Sequence, residues 1–160
     1  MTGTAAALRL VEHGIAELLG AGFDVKPLAA NTWADTGLEV LLPSAGLYQL
    51  DVTVRASLTI DSPANVWVLS RVWDVTAGSV VPRSEALVNQ HSLMPIPELG
   101  AQVMEIGDNR TATTALEYAV PAPSVLRLQA SWAATRGTPK RAGIGNDALG
   151  RTMIRFNRIA

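Results

Sequence analysis

Apolar and polar residues alternate along residues 47–60, and this alternation predicts a long β-strand. One face of such a strand is apolar and the other polar. The apolar face consists of Tyr48, Leu50, Val52, Val54, Ala56, Leu58 and Ile60, and the polar face of Gln49, Asp51, Thr53, Arg55, Ser57 and Thr59. A helix would place Asp51 and Arg55 beside the apolar residues. We therefore predict a strand with one buried and one solvated face, preceded by a short strand at 40–42 and a turn at 43–46.

Further strands are predicted between turn signals along the rest of the chain. They fall at 66–75, 79–81, 86–91, 101–106, 111–120, 125–133 and 151–159, with turns at 61–65, 76–78, 107–109 and 121–124. Residues 135–150 are polar and rich in glycine, which predicts a mobile or partner-ordered loop. Eight to ten strands with no helix between them predict an all-β fold, a jelly-roll sandwich of antiparallel strands.

Residues 4–19 follow a different period, one that predicts an N-terminal helix. Their apolar side chains share a face at a spacing of 3.6 residues; these are Leu8, Val11, Ile15, Leu18 and Leu19. A short helix is marginal alone and needs a surface to lie on, either its own domain or a neighbouring protein. We favour the neighbour. The predicted organisation is an N-terminal attachment segment at 1–30, which docks through these five residues, and a jelly-roll domain at 31–160.

The composition adds an indication of self-association. Charged residues make up 17% of the 160 residues, against roughly 25% in ordinary soluble domains. Eleven arginines accompany two lysines, and protein interfaces enrich arginine and deplete lysine. Arginine-rich codon usage in a GC-rich genome explains the same bias, so both interpretations stay open.

Several classes of protein are excluded or disfavoured. The absence of cysteine excludes disulfide scaffolds, thiolate metal sites and cysteine nucleophiles. No run of 18 apolar residues predicts a transmembrane helix, so we expect no membrane partner. Glu12, His13 and Glu17 interrupt the apolar residues near the N-terminus, which argues against a cleaved secretory signal.

Three stretches resemble the tumour necrosis factor-like jelly roll, a superfamily that includes the globular heads of complement and collagen-type proteins. In that superfamily a Pro-x-x-Gly-x-Tyr turn leads into a long strand, as residues 43–48 (PSAGLY) do here. Residues 113–117 and 125–130 are similar to its paired late strands, and residues 151–159 to its closing core strand. The chain departs from the family in having Pro-Ala-Pro-Ser before Val125 instead of Gly-Asp, and Leu50 where an aromatic residue is usual.

The resemblance implies a homotrimer and a binding or structural role. Three jelly rolls would pack about an axis through apolar and aromatic residues, for which the candidates are Tyr48, Trp73, Tyr118, Trp132 and Phe156. Versions of this fold occur in bacteriophage particles. The expected function is therefore that of a non-enzymatic virion structural protein, a trimeric capsid decoration or head fibre. Its N-terminal segment would attach it to other virion proteins such as the major capsid protein.

Catalytic motifs are lacking in the sequence. His91 has no second histidine nearby, and Glu85 and Glu98 are isolated, so we expect neither a metal site nor a cofactor. No Gly-x-Ser-x-Gly elbow and no phosphate-binding loop occurs. We expect that the protein is not an enzyme, and a cupin-like enzyme is kept as an alternative.

Basic residues gather towards the end of the chain and predict a contact surface. They are Arg136, Lys140, Arg141, Arg151, Arg155 and Arg158, against the single acid Asp147. Single-strand nucleic-acid sites interleave aromatic residues with such charges, and only Phe156 is present here. An acidic protein surface is the favoured partner, and neither nucleic acid nor a small molecule is expected. A further alternative is a tail or fibre tip that recognises a host surface glycan through loops 82–100 and 135–150.

Overall fold

The computed structural model describes residues 12–95 and 103–160, which form β-strands and connecting turns. The strands of this part of the chain are β1 (His13–Glu17), β2 (Phe23–Asp24), β3 (Ala34–Leu42), β4 (Gly46–Asp61), β5 (Ala64–Asp74), β6 (Ser79–Val80), β7 (Ala86–Leu93), β8 (Glu105–Val120), β9 (Ser124–Arg136), β10 (Arg141–Ile144) and β11 (Met153–Arg158). Within these residues no helix is long and apolar enough to cross a bilayer.

The strands form two antiparallel sheets. In the first, here called the β4 sheet, β1 pairs with β11, β11 with the first half of β4, and β8 with the whole of β4. The pair β10–β2 lies beside the second half of β4. In the second, here called the β9 sheet, β3, β9, β5 and β7 are neighbours in that order, with β6 beside the end of β5.

The core lies between the two sheets, as the alternation of residues 47–60 predicts. All seven side chains of the predicted apolar face of β4 are buried, and the alternating side chains are only half-buried. Leu126, Leu128 and Ala130 of β9 and Val66 and Val68 of β5 meet them from the other sheet. The predicted all-β sandwich is therefore confirmed.

The predicted N-terminal helix is wrong for the residues that the structure describes. Residues 13–17 form β1, which pairs with β11 so that Gly14 lies opposite Phe156. A Cβ at position 14 would collide with the Phe156 ring, so the absence of a side chain lets the aromatic residue close the core. Tertiary pairing with β11 thus overrides a helical spacing that was already weakened by Gly14. Residues 4–11 of the predicted helix lie outside the described residues.

Two other local predictions are also wrong. The predicted turn at 107–109 lies inside β8, in register with residues 57–59 of β4. The expected mobile loop at 135–150 contains the end of β9 and all of β10. In both places long-range pairing, of β8 and β10 with β4 and of the end of β9 with β5, decides the conformation, and glycine or polar composition does not. The described part of the predicted 1–30 segment likewise supplies β1 and β2 to the β4 sheet.

Candidate interaction surfaces

The turn between β3 and β4 is tied to both ends of the described domain through Tyr48. The Tyr48 hydroxyl lies 3.0 Å from the Ser44 carbonyl oxygen and 3.0 Å from Glu12 Oε2. Ser44 Oγ donates to the same carboxylate at 2.6 Å, and Arg158 Nη1 lies 3.4 Å from Glu12 Oε1. The bond from Ser44, with those from Tyr48 and Arg158, lowers the pKa of Glu12 despite its partial burial. The tyrosine of the Pro-x-x-Gly-x-Tyr motif is thus a structural residue that fastens its own turn.

The residues predicted to line a trimer axis lie in two different environments. Tyr48, Trp132 and Phe156 are buried in the core of the single chain, and Tyr48 and Phe156 meet edge to face at 5.7 Å. Trp73 and Tyr118 are half-buried. Tyr118 on β8 donates to Asp74 Oδ2 on β5 at 2.8 Å, which links the two sheets. Burial, together with this bond, raises the pKa of Tyr118 to about 12. The three buried aromatic residues therefore have an intrachain packing role.

Strand β8 presents a long edge with no strand partner in the described part of the chain. All of its ladder pairs are with β4, over residues 105–120. Its exposed side chains from 111 to 119 are short and mostly uncharged: Thr111, Thr113, Ala115, Glu117 and Ala119. We call these five residues and the open backbone beside them the β8 edge. Free edges usually carry charges or bulges that block further pairing, and the centre of this edge carries neither.

The outward face of the β9 sheet carries a network of paired side chains, which we call the tryptophan–arginine network. The Arg71 guanidinium lies 4.3 Å from the ring centroid of Trp33 and 5.5 Å from that of Trp73. Arg71 Nε donates to Gln129 Oε1 at 2.8 Å, and Gln129 Nε2 donates to Asp35 at 2.8 Å. The indole faces that a glycan would need are in part already occupied by Arg71.

Charged residues of neighbouring strands extend this network towards β3. Arg127 on β9 donates to Glu39 at 2.6 Å and to Asp35 at 3.2 Å. These bonds, first the one to Glu39, raise the pKa of Arg127 further. The polar groups on this face satisfy one another and do not depend on a partner.

His91, the residue considered for a metal site, belongs to a polar cluster between β7 and β8. Its Nε2 lies 3.0 Å from Asp108 Oδ1, which also accepts a bond from Asn89 Nδ2 at 3.0 Å. Arg110 Nε donates to Asp108 Oδ2 at 2.9 Å. Burial alone would raise the pKa of Asp108, but the bonds from Arg110 and Asn89 and the nearby His91 outweigh it and lower the pKa. Among the described residues no group of three or more His, Asp or Glu side chains is placed to hold a metal ion.

The six basic residues predicted to form one contact surface are dispersed. Lys140 and Arg141 lie at β10, where Lys140 pairs with Glu105 and Asp61. Arg158 pairs with Glu12, and Arg136 lies at the far end of β9. Arg151 and Arg155 are exposed near β11. The structure brings only two of the six, Lys140 and Arg141, to one concave site, and that site also contains residues far away in sequence.

The residues predicted for attachment differ in burial. Leu18 is buried in the core, whereas Ile15 is 54% exposed and Leu19 is 85% exposed. Leu8 and Val11 lie outside the described residues. Of the three attachment residues that the structure describes, Ile15 and Leu19 are available to a neighbouring protein.

Sequence reasoning missed the β8 edge and the salt bridge that stiffens one end of β8. Arg55 Nε and Nη2 each lie 2.8 Å from Asp147 Oδ2, and Asn109 Nδ2 donates to the same oxygen at 2.9 Å. The bond from Arg55, with those from Leu149 and Asn109, lowers the pKa of Asp147 to about 2 despite some desolvation. The outward position of Arg55 was readable from the alternation in β4, but its partner was not.

Comparisons with known proteins concern the fold. No protein-family model and no curated protein matches the chain. Among solved structures the chain is similar to one described as "Structure of Eiger TNF from S. frugiperda", with 10% sequence identity and a TM-score of 0.40, over 94% of this chain and 93% of that one. At this identity the likeness says nothing about function.

Proposed function

We propose that the protein is a non-enzymatic structural protein that assembles as a homotrimer through the β8 edge and the adjoining outward face of the β4 sheet. The finer part of the proposal is a role in the virion, as a capsid decoration or head fibre attached to proteins such as the major capsid protein. Both parts were expected from the resemblance of residues 43–48, 113–117, 125–130 and 151–159. The contacts of the described residues add support of their own to the first part.

The observation that carries the proposal is the β8 edge, which runs along a strand of 16 residues, whereas the edge strands β3 and β7 have nine and eight. Strands β4, β5 and β9 have partners along both sides, and β3 has its side chains tied to β9 by ion pairs. The β8 edge offers Thr113 and Ala115 beside open backbone, with Thr53 next to Thr113 on the same face. A second copy can approach such short side chains closely, and burying them would remove an edge that otherwise invites uncontrolled pairing.

The particle role is supported by the place at which the chain enters the sandwich. Strand β1 lies at the edge of the β4 sheet, and the residues before it carry the apolar Leu8 and Val11. The exposed Ile15 and Leu19 lie in and just after β1. An apolar segment leaving an edge strand is suited to dock on another protein, which is the role that the proposal gives it.

The trimer is tested by mass and by site-specific labelling. Native mass spectrometry of the full chain should give three copies, and a monomer at micromolar concentration would overturn the proposal. Because the chain has no cysteine, Thr113→Cys and Ser92→Cys each give a single site for a nitroxide label. The label at 113 on β8 should be immobilised and shielded from a soluble relaxation agent. The label at 92, on the exposed edge strand β7, should be mobile and accessible.

The particle role needs a separate experiment. Deleting residues 1–11 leaves every described strand intact, whereas deleting 1–30 would also remove β1 and β2. The shorter deletion should preserve the trimer and abolish incorporation into particles made by the producing host, as measured by mass spectrometry of purified particles. Full-length protein that is absent from such particles would refute the virion role and leave the trimer standing.

A further inference from the structure

A cleft of about 440 Å³ opens where the β10–β2 pair extends the β4 sheet. This volume lies within the usual range of small-ligand sites. Its wall is built by three parts of the chain that are remote in sequence: β2 with Lys26, the outward side of β4 at Arg55 and Ser57, and residues 140–147 around β10. Asn109 of β8 closes the end nearest the β8 edge. The cleft is complete within one chain, so its lining does not depend on a second copy.

Two cations of the wall, Lys26 and Arg141, lie at the same end of the β2–β10 pair. Val25 N–H donates to the Ala142 carbonyl oxygen at 3.0 Å, which continues the β2–β10 register and brings Lys26, in the turn after β2, to the side of Arg141. Both side chains are exposed, and neither has an ion pair or a side-chain hydrogen bond within residues 12–95 and 103–160. Like charges that lie close together repel one another. An anion bound between them would relieve that repulsion.

The other cations of the wall are already paired. Arg55 is held by Asp147, and Lys140 by Glu105 and Asp61. Asp24 accepts the amide N–H of Lys26 through Oδ1 at 3.0 Å, and its carboxylate has no ion pair among the described residues. The unpaired charges of Lys26, Arg141 and Asp24 therefore leave one net positive charge at this end of the cleft.

The floor of the cleft has both room and hydrogen-bonding groups. A Cβ at Gly145 would meet no atom within 4 Å, whereas one at Gly143 would lie 3.1 Å from the Phe23 carbonyl oxygen and 3.6 Å from Ser57 Oγ. The Ser57 hydroxyl has no hydrogen-bond partner among the described residues. A hydroxyl and a pair of cations together suit a ligand that is polar, compact and negatively charged at one end.

We infer that this cleft binds a small ligand that carries an oxyanion, carboxylate or phosphate, on a hydroxylated body such as an acidic sugar. Arg141 and Lys26 hold the oxyanion, because a guanidinium matches the planar oxygens of such groups and an ammonium adds a point charge. Ser57 and the backbone of residues 143–145 contact the hydroxylated body. Neither the fold nor the trimer requires this site.

Titration of the full-length protein with defined probes tests the inference. Amide NMR spectra are recorded with inorganic phosphate, with glucuronate and with neutral glucose, at constant pH and with chloride added to equal ionic strength. At least one of the two anions should bind saturably, with amide chemical-shift changes confined to residues of the cleft. Glucose should bind at least tenfold more weakly. Saturation by phosphate alone identifies a phosphate ligand, and saturation by glucuronate alone identifies a carboxylate. No saturation by either anion overturns the inference.

Three variants separate the cleft from general electrostatic attraction. Arg141→Glu should weaken binding of the anion at least tenfold. Arg136→Glu, the same change at an exposed arginine outside the cleft, should leave binding unchanged. Gly145→Leu keeps every cation but fills the open space, and should also weaken binding at least tenfold. Equal losses in R141E and R136E, or unchanged binding in a folded G145L, would each refute the site. Thermal unfolding and native mass of each variant confirm that the fold and the assembly are intact.

Discussion

On the outward face of the β9 sheet the large polar side chains contact one another, whereas on the outward face of the β4 sheet short side chains lie beside an open strand edge. The first face holds Arg71 between Trp33 and Trp73 and continues through Gln129 to Asp35. On the second face, the contact that crosses from β4 to the middle of the β8 edge joins Thr53 and Thr113 at 3.3 Å. The two faces belong to the same sandwich and are exposed to the same solvent.

The difference teaches that aromatic content does not identify the surface that binds a partner. The rings of Trp33 and Trp73 on the β9 face already contact an arginine of the same chain. The β8 edge lacks aromatic residues, yet its backbone has no strand partner in the described residues and its centre has no charge to repel one. Self-satisfied polar groups gain little from a partner, because they would exchange existing contacts for new ones. The backbone groups of the open β8 edge would give up only hydrogen bonds to water when they bind a partner.

The most severe test places charge on the β8 edge. Thr113→Arg combined with Ala115→Arg should reduce the native mass from three copies to one, because each interface would then bury unpaired arginines. Sedimentation or native mass spectrometry measures the change. The matched variant on the other edge strand, Leu87→Arg with Gln90→Arg on β7, should keep the mass of the wild-type protein. If both variants dissociate, or neither does, the two edges are equivalent and the proposed interface is wrong.

A smaller effect should follow from dismantling the tryptophan–arginine network. Arg71→Leu removes the cation between two indoles and the bond to Gln129, and should lower the free energy of unfolding by about 1–2 kcal/mol without changing the native mass. Gln49→Ala on the β4 face, where the amide makes a long 3.4 Å bond to Asp51, should stay within about 0.5 kcal/mol of the wild type. Denaturant unfolding of both variants in the T113R/A115R background measures their free energies of unfolding without a contribution from assembly. If Gln49→Ala lowers the free energy of unfolding as much as Arg71→Leu does, the two outward faces do not differ in the way described.

The smallest expected effect concerns pH at the end of the β4 face. The pKa of Asp147 lies near 2, below its ordinary value of 3.8. The bond to Arg55 therefore contributes stability that is fully present above about pH 4 and is lost as the pH falls towards 2. Asp147→Asn should be less stable than the wild type at pH 7, and the difference should shrink between pH 4 and pH 2. Unfolding curves at several pH values measure it, and a constant difference across that range would contradict the assignment.

Much of the sandwich was predictable because burial imposes a local period. Strands β4, β5, β9 and β11 lie close to their predicted positions, and the buried face of β4 is the predicted one. The candidate sites were less predictable. Tyr48, Trp132 and Phe156 were candidates for a trimer axis because the resemblance implies aromatic packing there, but aromatic side chains are also buried within single subunits. The free cation pair of the cleft joins Arg141, which belonged to the predicted basic surface, to Lys26, which did not.

The sequence by itself determined which side chains of the long strands face inward, since a two-residue period requires no knowledge of the partner strand. Only the tertiary structure decided that residues 13–17 are a strand, that residues 107–109 continue β8, and that residues 141–144 pair with both β4 and β2. The physical reason is that a short segment with weak or misleading local preference takes its conformation from the backbone hydrogen bonds that a neighbouring strand offers. Those bonds join residues remote in sequence, and the cleft and the β8 edge arise only once they have formed.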